Sequence, residues 1–192
     1  MTLDTDPRPL YRNALTWVHD LAAAVPAERL TAPTPCPDFD VRALLGHLVA
    51  TVDRARVIGE GGDPNAEPRV VVGVADDGWT AALDAAAEKM WPVWADDARL
   101  DAAVTVPWGT VPGRAAVWGY VREALVHGWD LAVATGQHPE ADPATAEAAL
   151  AVTRRVFPAE PRSDMPFAPP VTPAPTAGPT ERLANWCGHA RR

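Results

Sequence analysis

Lysine is almost missing from this 192-residue chain, which holds one, Lys89, and cysteine is scarce, with Cys36 and Cys187 alone. Seventeen arginines and lysines face 25 acidic residues for a formal charge of −8, and the arginines are scattered rather than gathered into a stripe. Such a chain lacks the electrostatic footprint of a nucleic-acid binder. Two cysteines 151 positions apart, without a CxxC spacing, exclude a thiolate knuckle and a disulfide framework and predict free thiols. Nowhere do 18 apolar residues follow one another, so no membrane span is expected. The opening MTLDTDPRPL has none of the basic-then-apolar character of a secretory signal, and a cytoplasmic location is expected.

Apolar residues, proline and tryptophan are plentiful: 47% of the chain is hydrophobic, with 21 prolines and eight tryptophans. This length fits one core rather than two full-size domains, so residues 1–192 read as a single unit. Leu10, Ala14, Trp17, Val18, Leu21, Ala22 and Val25 recur at helical spacing, giving a first helix over about 7–25 closed by Pro26. Asp40 is the expected N-cap of a second helix whose apolar face runs through Val41, Leu44, Leu45, Leu48, Val52 and Ala55. Glycines 59, 61 and 62 stop it. A mostly irregular connection over 63–74 leads to a third helix over about 75–95, which Pro92 must kink or end. Val104, Val106 and Val111 around PWGT predict a short hairpin over 103–112. A long helix from Arg114 to about Thr135 ends on Gly136, and another covers 142–156 with Pro143 at its first position. Five helices are therefore expected. A proline-dense strap over 158–179 and a short helix at 180–187 complete the chain.

Glu123 and His127 stand at i and i+4 on the long helix, so they project from one face and can chelate one ion. His47, in mid-helix between Leu44 and Leu48, points toward the bundle interior and is the best-placed third ligand. His19, His138 and His189 read as surface residues. Two imidazoles and a carboxylate suit zinc or another borderline divalent ion and leave a coordination position open to water or substrate. The same residues admit a plainer reading, because E-x-x-x-H arises by chance and a histidine on an apolar face is often hydrogen-bonded core. Arg54, two turns beyond His47, and Tyr120, almost a turn before Glu123, can face such a cavity. Trp108 in the hairpin and Trp129 near the ligand pair can line it, and Asp130 can orient His127. Surface arginine and aspartate and ordinary core aromatics explain these five equally well. Cys36 reads as a structural thiol.

The strings LTAPTPCPDFDVRALLGHL around His47 and REALVHGWDLAVATGQ around Glu123 and His127 resemble the two signature regions of the DinB-like superfamily. Within it they are most similar to the group related to the metal-binding domain of mycothiol-dependent maleylpyruvate isomerase, and the likeness extends over nearly the whole chain. The resemblance implies an all-α, DinB-like four-helix bundle of up-down-down-up topology with a short β-hairpin, an extra C-terminal helix and the Pro-rich strap. It implies His47, Glu123 and His127 as metal ligands, with glutamate where some DinB-like proteins have a third histidine. It also implies mycothiol as a cosubstrate and a small electrophile as the second substrate. The isomerase draws an arginine from a second domain, where this chain has its strap, so maleylpyruvate itself is not the expected substrate. A thiol-dependent transferase or isomerase is the leading expectation. Competing ones are a lyase or cyclase using the same pocket and a non-catalytic protein stabilised by its metal. A homodimer is a further expectation.

Overall fold

Residues 5–157, 159 and 168–191 are described in a computed structural model of the chain. The first helix, α1 (Arg8–Ala23), buries Tyr11, Ala14, Val18, Leu21 and Ala22 along one stripe, as the spacing predicts. A 3₁₀ turn at Ala27–Arg29, not foreseen, leads into a loop in which the Thr34 hydroxyl donates to the carbonyls of Cys36 and Phe39, both at 2.8 Å. That loop delivers the chain to Asp40, whose carboxylate accepts from the Ala43 N–H at 2.8 Å and caps α2 (Val41–Gly59).

Helix α3 (Trp79–Trp94) starts later than the expected residue 75, because residues 75–78 close a turn through Gly78 N–H and the Ala75 carbonyl at 2.9 Å. Pro92 lies inside it, and the helix stops two residues on. The Trp94 indole donates to the Ala55 carbonyl at 3.0 Å and ties α3 to α2. A five-residue helix, α4 (Asp97–Asp101), capped by Asp96, also went unforeseen. Strands β1 (Ala103–Val106) and β2 (Gly109–Pro112) pair antiparallel, which leaves Pro107 and Trp108 at the turn.

The long helix α5 (Gly113–Thr135) ends on Gly136 at φ 75°, with Gln137 N–H closing back on the Ala132 carbonyl at 2.8 Å. Asp142 caps α6 (Pro143–Val156) through the Thr145 N–H. Much of the expected strap, residues 158 and 160–167, lies outside the described residues, while 168–178 run without helix to α7 (Pro179–Trp186). Glu140 accepts from the Thr180 and Glu181 N–H groups at 2.9 and 3.2 Å, so a carboxylate sits where the α7 dipole favours it.

Helices α1, α2, α3 and α5 form the four-helix bundle: α2 packs on α3 and α5, and α1 on α5 and α3. Helices α6 and α7 pack against each other and against α5. The fold is all-α with one hairpin, as expected, and α5 is its axis, buried on nearly every side between Ala116 and Ala132. Among the described residues no helix is long and apolar enough to cross a membrane.

Candidate metal centre

His47 sits on α2 one residue after a glycine, and that neighbour decides its orientation. A Cβ on Gly46 would lie 2.3 Å from the Val71 carbonyl oxygen and 2.8 Å from Val70 Cγ1. Only a bare backbone lets the 60–78 connection cross α2 here, where Val71 N–H donates to the Gly46 carbonyl at 3.1 Å. The crossing brings the Arg69 carbonyl to 2.9 Å from His47 Nδ1. A carbonyl only accepts, so His47 carries its proton on Nδ1 and keeps the Nε2 lone pair. Phe39 stacks on the ring, 4.8 Å between centroids and 27° between planes.

On α5, His127 Nδ1 lies 3.0 Å from Asp130 Oδ2 and its Nε2 lies 3.5 Å from Glu123 Oε2. Asp130 is fully buried, and its carboxylate fixes the His127 tautomer as the Arg69 carbonyl fixes that of His47. The two imidazoles meet edge to face at 4.8 Å. One ligand atom from each of His47, Glu123 and His127 falls within 4.8 Å of the others, so the three can hold one metal ion. Two oriented Nε2 lone pairs and a carboxylate are a donor set that fits zinc. A second trio, Cys36, His127 and Asp130, meets the same distance test but shares His127 with the first.

The charges agree with this reading. Burial and the neighbouring His127 push His47 down to about 4, so it is neutral and ready to ligate. Burial also works against a charged His127, but hydrogen bonds to Asp130 and Glu123 outweigh it and carry His127 up to about 9. Burial raises Glu123, yet its bond to His127 and the Arg122 guanidinium, 2.9 Å away, hold it well below the usual carboxylate range. The chain alone thus keeps a proton where a cation would sit.

The trio borders a cavity of about 700 Å³. Its walls include Phe39, Trp108, Phe157, Arg69 and Arg122, with both cysteines and His189. Trp108, 56% exposed at the hairpin turn, stands at the mouth. The other three candidates for the cavity wall lie elsewhere. Tyr120 is buried against Tyr11, rings 6.1 Å apart. Trp129 is wholly buried on a different side of α5, and Arg54 reaches out to the Pro68 carbonyl at 3.1 Å. Asp130 is a core residue rather than a surface one. His189 is corrected too: it is partly buried, lines the cavity and bonds Asp130, because the turn after α7 folds it back onto α5. Its contact spans 59 residues, and a lone histidine near a terminus offers no periodicity to betray it. Cys36 is buried, and burial pushes its thiol up.

The family model described as the mycothiol maleylpyruvate isomerase N-terminal domain matches residues 11–132. Two uncharacterized proteins from two strains of Mycobacterium tuberculosis are each 30% identical over 194 residues, covering 97% of this chain and all of theirs. Among solved structures, the mycothiol-dependent maleylpyruvate isomerase superposes with a TM-score of 0.54, and a histidine-to-alanine variant of it with 0.55. Each match is 14% identical and covers 68% of this chain. The chain spans 61% of the length of those solved chains.

Proposed function

The chain belongs to the family of mycothiol maleylpyruvate isomerase N-terminal domains, and on that premise we propose that it is a divalent-metal enzyme using a small thiol, mycothiol, to transfer to or isomerise a small electrophile. The observation that carries the reading is the meeting of His47, Glu123 and His127 at the wall of an open cavity. A purely structural ion would call for a closed set of protein ligands, and this trio leaves room for a substrate atom.

Zinc is the cation the donors suit, and when bound it supplies a Lewis acid that favours the thiolate form of a thiol at neutral pH. His47 and His127 orient their lone pairs through the Arg69 carbonyl and Asp130. Glu123, already ionised, brings the negative charge that offsets a dication. Phe39, Trp108 and Phe157 give the cavity apolar wall, while Arg69 and Arg122, paired with Asp38 and Glu123, give it polar groups that can orient a substrate. In the metal-free chain burial raises the Cys36 thiol and so disfavours its thiolate, and in this reading the nucleophile is not that residue. A thiol entering from solution fills the role.

Protein purified without a histidine tag should contain about one divalent ion per chain. That ion should be lost when His47→Ala and His127→Ala are combined. Incubating the loaded protein with mycothiol and a panel of electrophiles, followed by mass spectrometry, should yield a thiol conjugate or an isomerised product. Metal retained by the double variant refutes the ligand set; no product with any electrophile refutes the thiol chemistry.

A further inference from the structure

His189 reaches the site from a stretch that the family match to residues 11–132 does not include. Gly188, at φ 91°, turns the chain at the end of α7, and a Cβ there would fall 2.7 Å from Ala168 Cβ. Both the left-handed backbone and the tight approach demand glycine. The Asn185 amide donates to the His189 carbonyl at 2.9 Å and fixes the residue after the turn. The ring then lies against α5, its Nδ1 at 2.9 Å from each oxygen of Asp130. The same Asp130 takes the His127 Nδ1 at 3.0 Å, and the two imidazoles stand 5.6 Å apart at 69°.

Asp130 has no surface exposed to bulk solvent, so its oxygens depend on the hydrogen bonds around them. An ionised carboxylate only accepts, and both imidazoles must therefore present Nδ1–H to it. Two donors, one on α5 and one beyond the end of α7, also fix the plane of the carboxylate, which a single donor leaves free to swing.

We propose that His189 is a positioning residue for the metal centre: by donating Nδ1–H to Asp130 it holds that carboxylate aimed at His127, and so keeps His127 Nε2 turned toward Glu123 and His47. The tail beyond the matched region thereby completes the support of a ligand on α5. This rests on the metal reading above. It assigns His189 no contact with metal or substrate; the residue acts through Asp130.

Zinc affinity, read by competition with a chelator, tests this in the full chain. His189→Phe keeps a ring but no donor, and His189→Gln keeps a donor but no ring. His189→Phe should bind zinc about tenfold more weakly, in the range seen for lost supporting partners, while His189→Gln stays within about threefold of the parent. In an Asp130→Asn background His189→Phe should add almost nothing, since its path is already cut. Full affinity in His189→Phe, equal losses in both variants, or an undiminished loss in the Asp130→Asn background each overturn the proposal. Ring ¹⁵N spectra of the zinc-loaded parent need no variant: protons on Nδ1 of both His127 and His189 support it, and an unprotonated Nδ1 on His189 overturns it. A parent chain that takes up no zinc overturns the metal reading itself, an outcome distinct from all of these.

Discussion

Replacing Gly46 with alanine should separate the stability of the bundle from the quality of its site. The added methyl would sit 2.3 Å from a backbone oxygen, Val71 O, which no rotamer change can move aside. Restoring van der Waals contact demands a shift of about 1 Å in the 69–71 segment. That shift strains or breaks the Val71 N–H bond to the Gly46 carbonyl, a loss of about 1 kcal/mol. Overpacking adds about 1–3 kcal/mol, while alanine in mid-helix returns about 1 kcal/mol of propensity. The net cost is about 1–3 kcal/mol, and at about 2–4 °C per kcal/mol for a chain of this size the melting temperature should fall by about 2–12 °C. The metal should suffer more distinctly. The Arg69 carbonyl moves with the segment, His47 Nδ1 loses its 2.9 Å partner, and loss of such a partner lowers metal affinity about 10–100-fold. Thermal unfolding of the metal-free protein and chelator competition for zinc measure the two effects separately. Parental zinc affinity in a variant that has lost stability would refute the claim that the loop carbonyl orients His47.

Two further outcomes follow from the same coordinates. In the metal-free protein His127 holds a proton up to about pH 9, and a cation must displace it, so apparent zinc affinity should rise almost tenfold per pH unit between 6 and 8. His47, at about 4, is already neutral and contributes nothing in that window; calorimetry in buffers of different ionisation enthalpy should find about one proton released, and a flat pH profile would contradict the assignment. Gly119→Ala places its methyl in ordinary contact with Trp108 at 3.8 Å and should stabilise the chain by about 0.5–1 kcal/mol with no change in zinc affinity, as thermal unfolding and competition would show.

What could be read from the sequence was local. Asp40 before an apolar periodic run, Gly136 after one and Pro143 at a first helical position each obey rules that span four or five residues, and each helix end falls where these residues put it. The Glu123 and His127 pair is equally local, being a matter of helical pitch. His47 could be ranked above the other histidines because it lies among buried leucines. The unread part depended on segments far apart in the chain. Asp130 looks like a surface residue by type, yet α5 is buried around almost its whole circumference and so has no polar face to which it could be assigned. The same lack of a face made Tyr120 and Trp129 look available to the cavity, when they fill the core. His189 and the Arg69 carbonyl join the site across 59 and 22 residues, through turns with no periodic signature.

The connection between α2 and α3 carries an uneven tolerance for change in length. Arg56 holds Glu67, Arg54 holds the Pro68 carbonyl, His47 holds the Arg69 carbonyl and Gly46 holds Val71, so four of the five residues from 67 to 71 are fastened to α2. Gly61 and Gly62 are likewise bonded back to the Ile58 and Val57 carbonyls, while Val72 and Gly73 are exposed beyond the fastened stretch. Extra residues inserted near 72–73 would loop out into solvent at little cost. One residue added between 68 and 71 would slide a different carbonyl under His47, and a segment that resembles a spacer would then behave as part of the metal centre's frame.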